Sequence, residues 1–443
     1  MLTEQDYRKA LSSRHPFWAT LSPHTIQQRI NQILSMPDSQ TAVQALSAVE
    51  YTIFLKTSPE TRPALLELAH PQQIRTVLDL DCWDKDNLKS RQVLTWLEEL
   101  QRSGNDVLTN TLRTLDVELL TTAFRNHLRI HAALPFEEED EPVSYDEIIA
   151  NELYRIQFLD EEDRINDRIR RLLSALRMSN LDFYHNLMQN IMWGQDRDAE
   201  EWAYRWKSGR LQDEGFPDYY DALETYQMVD LEHPVPDSSG PLLAPGLPEG
   251  VETSGIIPTY TWSLTPSGSM LDKVLTDYLP PETQERLCGE MVYLCNRELV
   301  IDQVDFTHAQ AIHNSLSRVH AYLNLGVEYL NGGDTQQLSA LLTTTSLQSV
   351  FAIGFTLSMR LHQQALRIQS HLNHAAGVRR AVPSLTHSVL NGLLNKTPQF
   401  FKGLESPGTM GYRHFSRVQD IMLVRPILSL LEQDPTYGLK QPR

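Results

Sequence analysis

The chain has 443 residues, enough for two to four domains with cores of their own, so neither disulfides nor structural metals are required for stability. Its 39 basic and 57 acidic side chains leave a net charge of −18, which repels phosphate backbones and anionic lipid surfaces and sets nucleic acid aside as a partner. The charge is uneven: Thr335 to Arg425 carries nine basic residues against two acidic ones, +7, leaving −25 for the rest. This basic part either docks on acidic surface of its own chain or a neighbour's, or offers an anion-binding face.

Cys82, Cys288 and Cys295 form no C-x-x-C pair, and so sparse and odd a count points to a reducing compartment, with the cytoplasm as the expected location. The N-terminus has no basic region followed by an apolar run, so no signal peptide is expected. The most apolar window, Val350 to Met359, ends at Arg360 after ten residues. A bilayer needs about 20, so no membrane span is expected.

Residues 1–135 read as short helices in series. Ser22-Pro23, Ser58-Pro59 and His70-Pro71 each precede an apolar-periodic segment, and Pro suits a first helical turn, where its missing donor would be unsatisfied anyway. Apolar residues spaced by three and four, as in Ile26/Ile30/Ile33, Val93/Leu97/Leu100 and Leu120/Phe124/Leu128, mark one buried stripe per helix. Asp79-Leu80-Asp81-Cys82-Trp83-Asp84-Lys85-Asp86 lacks the Gly and Glu of a calcium loop; Trp83 is expected to anchor the turn while the aspartates cap helices and solvate it. The acidic block Glu137 to Glu141 reads as an exposed domain boundary, and Asp160 to Asp163 with Arg164, Arg168, Arg170 and Arg171 as a helix with its dipole complemented. A helical domain then covers 143–231, a Pro/Gly-rich connection with seven prolines and five glycines covers 232–269, and longer helices form a bundle over 270–433. The expected fold is all-α: an N-terminal stack of short helical hairpins and a C-terminal bundle joined by that long loop.

The densest coding runs from Asp198 to Tyr226. Trp202 and Trp206, four apart, share a helical face; Gly209 is placed to stop the helix, and Phe216-Pro217-Asp218 to start the next. One reading is a structural joint: Asp198 and Glu201 cap the helix, Trp202 and Trp206 pack inward, and Arg205 or Arg210 bonds Asp213. Gly215 turns the chain and Asp218 caps a helix whose Leu223 and Tyr226 face the core. The other reading is a site for an anion or a partner peptide, with the guanidiniums of Arg205 and Arg210 near one point beside Asp213.

Phosphate-loop, dinucleotide, nucleophile-elbow and H-E-x-x-H signatures are missing. His127/His131 at i,i+4 and His371/His374 at i,i+3 place imidazole pairs on one helical face, and Asp182/His185 and Asp305/His308 pair a carboxylate with a histidine; without Glu-x-x-His helices no dimetal site is assembled, and no metal or cofactor is expected. Cys288 and Cys295 read as buried small apolar residues.

The run Glu200-Glu201-x-Ala203-Tyr204-Arg205-Trp206-x-x-Gly209-Arg210-Leu211-x-Asp213-x-Gly215-Phe216-Pro217-Asp218 resembles the hallmark of a bacterial family catalogued as a domain of unknown function. Leu78-Asp79-Leu80-Asp81-x-Trp83, Tyr322-Leu323-Asn324-Leu325-Gly326 and Phe400-Phe401-x-Gly403-Leu404 extend the resemblance over nearly the whole chain. It implies a helical fold and no catalytic residues; the N-terminal part is similar in style to the helical repeats of magnesium-transporter cytoplasmic domains. The expected function is a helical scaffold or protein-interaction protein rather than an enzyme. The alternative is an anionic-ligand-binding or hydrolytic protein with a cleft over Arg205 and Arg210.

Overall fold

The computed structural model describes residues 22–132, 147–149, 154–193, 196–232, 265–331, 335–374 and 384–433. They are mainly helical, with three small antiparallel sheets, and divide into two compact units. The first holds the described residues up to Asp218 together with Gln303–Ala309; the second holds Tyr219–Asp302 and the chain from Gln310 onward.

In the first unit the helices are α1 (Pro23–Leu34), α2 (Ser39–Gln44), α3 (Ala48–Thr57), α4 (Arg62–Leu68), α5 (Pro71–Asp81), α6 (Ser90–Ser103), α7 (Asn105–Leu112), α8 (Val117–Arg125), α9 (Asp163–Ser179), α10 (Leu181–Trp193) and α11 (Asp196–Asp213). Local chemistry starts several of them. Ser22 and Thr25 cap α1 reciprocally ahead of Pro23, and Ser47 Oγ accepts from Glu50 N at the start of α3. Gln73 turns back to accept from His70 N at the start of α5, while its amide donates to Val43 O at 3.2 Å. Ser58-Pro59 does not open a helix; Pro59 lies in a turn, and the proline in the first turn of α4 is Pro63. The apolar stripes are buried as their spacing requires, with Ile26, Ile30, Leu97, Leu100, Leu120 and Phe124 all in the core.

Strand β1 (Trp83–Asp84) pairs with β2 (Asn87–Leu88) in a tight hairpin between α5 and α6. A three-stranded sheet, not expected from the sequence, follows α8: β3 (Leu128–Ala132) and β4 (Glu147–Ile149) flank β5 (Tyr154–Phe158). Leu128 therefore belongs to a strand, not to the helix that ends at Arg125. The acidic block 137–141 lies outside the described residues; the strands on either side of it share this sheet.

The second unit contains α12 (Tyr219–Leu223), α13 (Met270–Lys273), α14 (Pro281–Ile301), α15 (Ala309–Asn331), α16 (Thr335–Thr344), α17 (Leu347–His374), α18 (Ser384–Leu393), the hairpin β6 (Gln399–Phe401) and β7 (Tyr412–His414), and α19 (Val418–Gln433). Its organising contact is the crossing of α15 and α17. A Cβ on Gly326 would sit 2.2 Å from Val350 O, and one on Gly354 would sit 2.0 Å from Tyr322 O, so the two backbones meet where only hydrogen fits. The closeness drives the rings of Tyr322 and Phe351 together and buries Leu325, Ile353, Leu357 and Leu361 in a core that α18, β6 and α19 complete with Leu390, Phe400 and Leu428. The apolar window 350–359 is thus a core helix segment, and among the described residues no single helix is long and apolar enough to cross a membrane. Most of the Pro/Gly-rich connection, 233–264, lies outside the described residues.

Because Gly354 has no room for a methyl group against a backbone carbonyl, Gly354→Ala must separate the two helices. Urea unfolding is expected to show a loss of about 1–3 kcal/mol, the range for overpacking a close-fitted core.

Candidate functional site

Helix α11 carries the family-like motif, and its two faces do different things. At 100° per residue, Ala203, Lys207, Arg210 and Leu211 fall on one side and Trp202, Arg205, Trp206, Gly209 and Asp213 on the other. Ala203 and Leu211 are buried on the inner side. Gly209 does not stop the helix, which runs on to Asp213. The stop is Gly215, at φ +80°: Gly215 N donates to Gln212 O at 3.0 Å and Phe216 N to Leu211 O at 2.7 Å, the paired bonds of a glycine-terminated helix. Phe216 and Pro217 are buried beyond it, and the next helix begins at Tyr219.

The inner face is an electrostatic clamp. Arg210 donates Nε to Asp79 Oδ2 at 2.8 Å and Nη2 to Asp79 Oδ1 at 2.9 Å, and its Nη1 lies 2.6 Å from Asp116 Oδ2. One guanidinium thus ties α11 to the C-terminal half of α5 and to the residue preceding α8. Asp79 is only 2% exposed; burial pushes its carboxyl above the ordinary range, and the Arg210 bonds offset part of that rise. Arg210 does not bond Asp213, as the joint reading expected: although the two stand three residues apart on the helix, the guanidinium turns inward to partners 131 and 94 positions earlier in the chain, and Asp213 is left exposed. Beside the clamp, Tyr204 donates its hydroxyl to Asp218, and burial together with that bond pushes the phenol up to about 12. Lys207 is desolvated between the rings of Trp83 and Tyr204, which lowers its ammonium pKa, and it donates to Lys85 O at 3.2 Å. Glu200 Oε1 accepts from Leu88 N. Asp79 and Trp83 of one motif therefore meet Tyr204, Lys207 and Arg210 of the other.

The outer face departs most from expectation. Trp202 and Trp206 do not pack inward; they stack on each other with centroids 6.2 Å apart and remain 48% and 51% exposed. Arg205 pairs with Glu201 and lies over the Trp202 ring at 5.2 Å. Five residues of helix separate Arg205 from Arg210 by about 140°, so the two guanidiniums do not converge. Asp213 is exposed at the end of the same outer stripe. Asp218 receives the Tyr204 bond; Leu223 is exposed, Ala222 is buried in its place, and Tyr226 packs edge-on against Phe351 and Phe355 within the second unit. The side chain of Asp198 lies outside the described residues.

Several other aspartates and histidines are engaged in structure. Asp81 accepts from Lys56, Gln92 and Trp96 at 2.6–2.8 Å, a role beyond solvating a turn. His127 sits in a turn and bonds Asp160 at 2.6 Å while His131 sits on β3, so the i,i+4 spacing is not a helical pair. Arg168 and Arg171 reach Glu98 on α6. His185 bonds the Tyr154 hydroxyl, the exposed His308 approaches Asp305 at 3.5 Å, and the His374 side chain lies outside the described residues. Among the described residues no three His, Cys, Asp or Glu side chains are grouped to hold a metal ion. The three cysteines are buried. In the basic C-terminal part, Arg413 is bidentate on the buried Asp420 at 2.7 Å and also meets Glu405, so part of that charge is neutralised locally.

A second buried ionic cluster, missed in the sequence, lies on α14 and α15. Arg318 bonds Glu298 and reaches Asp302 Oδ2 at 2.6 Å, Tyr226 donates to the same Glu298 oxygen, and Ser315 donates to Asp302. Burial raises the Glu298 carboxyl against the pull of Arg318. The signal was available only as Glu298/Asp302 at i,i+4 and Ser315/Arg318 at i,i+3, spacings that an exposed polar face also shows.

These features define a helical protein in which arginine–carboxylate clamps fix buried helices and one helix keeps an aromatic face in solvent. The chain matches DUF6178, a family of unknown function, over residues 9–435, and it belongs to that family. No curated protein and no solved structure matches it.

Removing the clamp's cation leaves Asp79 buried and unpaired, so Arg210→Met is expected to lower unfolding free energy by roughly 3–5 kcal/mol, with Asp79→Leu in the same chain restoring much of it. Acid acts elsewhere: burial depresses His320 to about 3 and His414, aided by Arg318, to about 4, both below the ordinary value of 6.5. The stability that each neutral ring contributes is complete above pH 6.5 and is lost as pH falls toward the folded value, at up to about 1.4 kcal/mol per pH unit for each group. Chemical denaturation between pH 7 and 4 is expected to show a shallower loss for His320→Gln than for the wild type.

Proposed function

We propose that this is a protein-interaction protein whose docking surface is the outer face of α11, formed by Trp202, Arg205, Trp206, Gly209 and Asp213. The observation that carries the reading is the stacked indole pair, about half exposed on each ring, with a guanidinium laid against it. Single exposed apolar side chains are ordinary, but two tryptophans side by side hold a large apolar area in water, and Trp and Arg dominate the energetics of protein interfaces. The inner face of the same helix is held by the Arg210 clamp, so the outer face is presented on a fixed support. The anionic-ligand alternative needs free arginine donors at one point. Arg210 spends its donors on Asp79 and Asp116, and Arg205 lies on the other side of the helix.

Replacing both indoles by Ala separates the two roles. Because neither ring is in the core, Trp202→Ala/Trp206→Ala is expected to change unfolding free energy by less than about 1 kcal/mol, against the roughly 3–5 kcal/mol of a buried aromatic. The same variant is expected to lose retention of the binding partner in affinity capture from its own cell extract. A large fall in stability with the partner still retained would reverse the reading.

A further inference from the structure

The glycines of this chain differ in what they do. Gly326 and Gly354 are demanded by backbone contact, and Gly215 by a positive φ. Gly209 answers to neither. It lies inside α11 without the left-handed backbone that favours glycine, and a Cβ built on it meets nothing within 4 Å. A glycine inside a helix costs about 1 kcal/mol relative to alanine, and nothing within the described structure needs that cost.

Its surroundings are self-complementary. Trp202, Trp206, Gly209 and Asp213 follow at i, i+4, i+7 and i+11, one stripe on the solvent side. Arg205 stands four residues before Gly209 and Asp213 four residues after it. When two such helices cross antiparallel about a two-fold axis at Gly209, each Arg205 faces the partner's Asp213. Each Trp206, three residues before the axis, flanks the contact. The backbones approach where no side chain intervenes, as at the Gly326–Gly354 crossing of the second unit. A chain of net charge −18 repels its own copies, so a self-contact must carry its own attraction, and two reciprocal arginine–aspartate pairs supply it.

We infer that the partner of this face is a second copy of the same chain, paired through α11 in an isologous antiparallel contact centred on Gly209. This rests on the proposed function and names its partner. Sedimentation velocity of the full chain from micromolar to hundreds of micromolar tests it. The wild type is expected to shift from monomer to dimer with concentration. Gly209→Leu and Asp213→Arg are each expected to weaken the dimer at least about tenfold. The charge swap Arg205→Asp/Asp213→Arg is expected to restore it. Gly209→Leu places a better helix former in open space, so its melting temperature should not fall, which separates lost pairing from lost folding. A wild type that stays monomeric, variants that dimerise like the wild type, or a charge swap that fails to rescue would each overturn the inference. A monomeric wild type whose Trp202→Ala/Trp206→Ala variant still loses a different partner would overturn the self-contact alone and leave the docking reading standing.

Discussion

The first unit depends on one guanidinium. Arg210 binds two carboxylates, Asp79 on α5 and Asp116 ahead of α8, and thereby fixes the angle at which α11 leaves the core. A buried ion pair of this kind contributes little net stability compared with a well-packed apolar substitute, because both charges must be desolvated. What it does supply is register. With a bidentate pair to Asp79 and a further contact to Asp116 on one side, α11 cannot rotate without stranding Asp79, so Trp202 and Trp206 are held outward although burying them would remove apolar area from water. Local burial and orientation compete here, and orientation wins.

The second unit solves its packing differently. Its helices meet at glycines, and its charges at Glu298, Arg318 and Asp302 are gathered beside that crossing rather than spread along one helix. In both units arginine is the connecting cation, as suits a planar fork that can satisfy two carboxylate oxygens at once. Arg413 on Asp420 repeats the device near the C-terminal end.

Helical spacing is local information, and it was legible. The apolar stripes of α1, α5 and α6, the capping at Ser22 and the long helices α14, α15 and α17 all stand where periodicity and cap residues put them. Features set by distant partners were not. Arg210 looked available because Asp79 lies 131 positions away, and the four-residue spacing of His127 and His131 is the same in a helix as across the start of a strand. The strands β3 and β5 are five residues long, too short to outweigh a neighbouring helical pattern. Gly209 and Gly215 are the same letter six residues apart, and only the backbone angle shows which one ends the helix. Paired tryptophans at i,i+4 read as core-facing because aromatic residues usually are buried, yet the inner face of α11 is the one that carries Ala203, Leu211 and the Arg210 clamp.

The two faces of α11 can be followed in one experiment by oxidative footprinting of the tryptophans over a range of protein concentration. Trp83 and Trp96 are buried inside the first unit and should stay protected throughout. Trp206, beside the proposed contact, should react readily in dilute protein and become protected as concentration rises, with Trp202 following through the stack. Equal reactivity of Trp202 and Trp206 at every concentration would contradict a docking role for the outer face in self-association. Protection of both at the lowest concentration would contradict the solvent-facing stack itself.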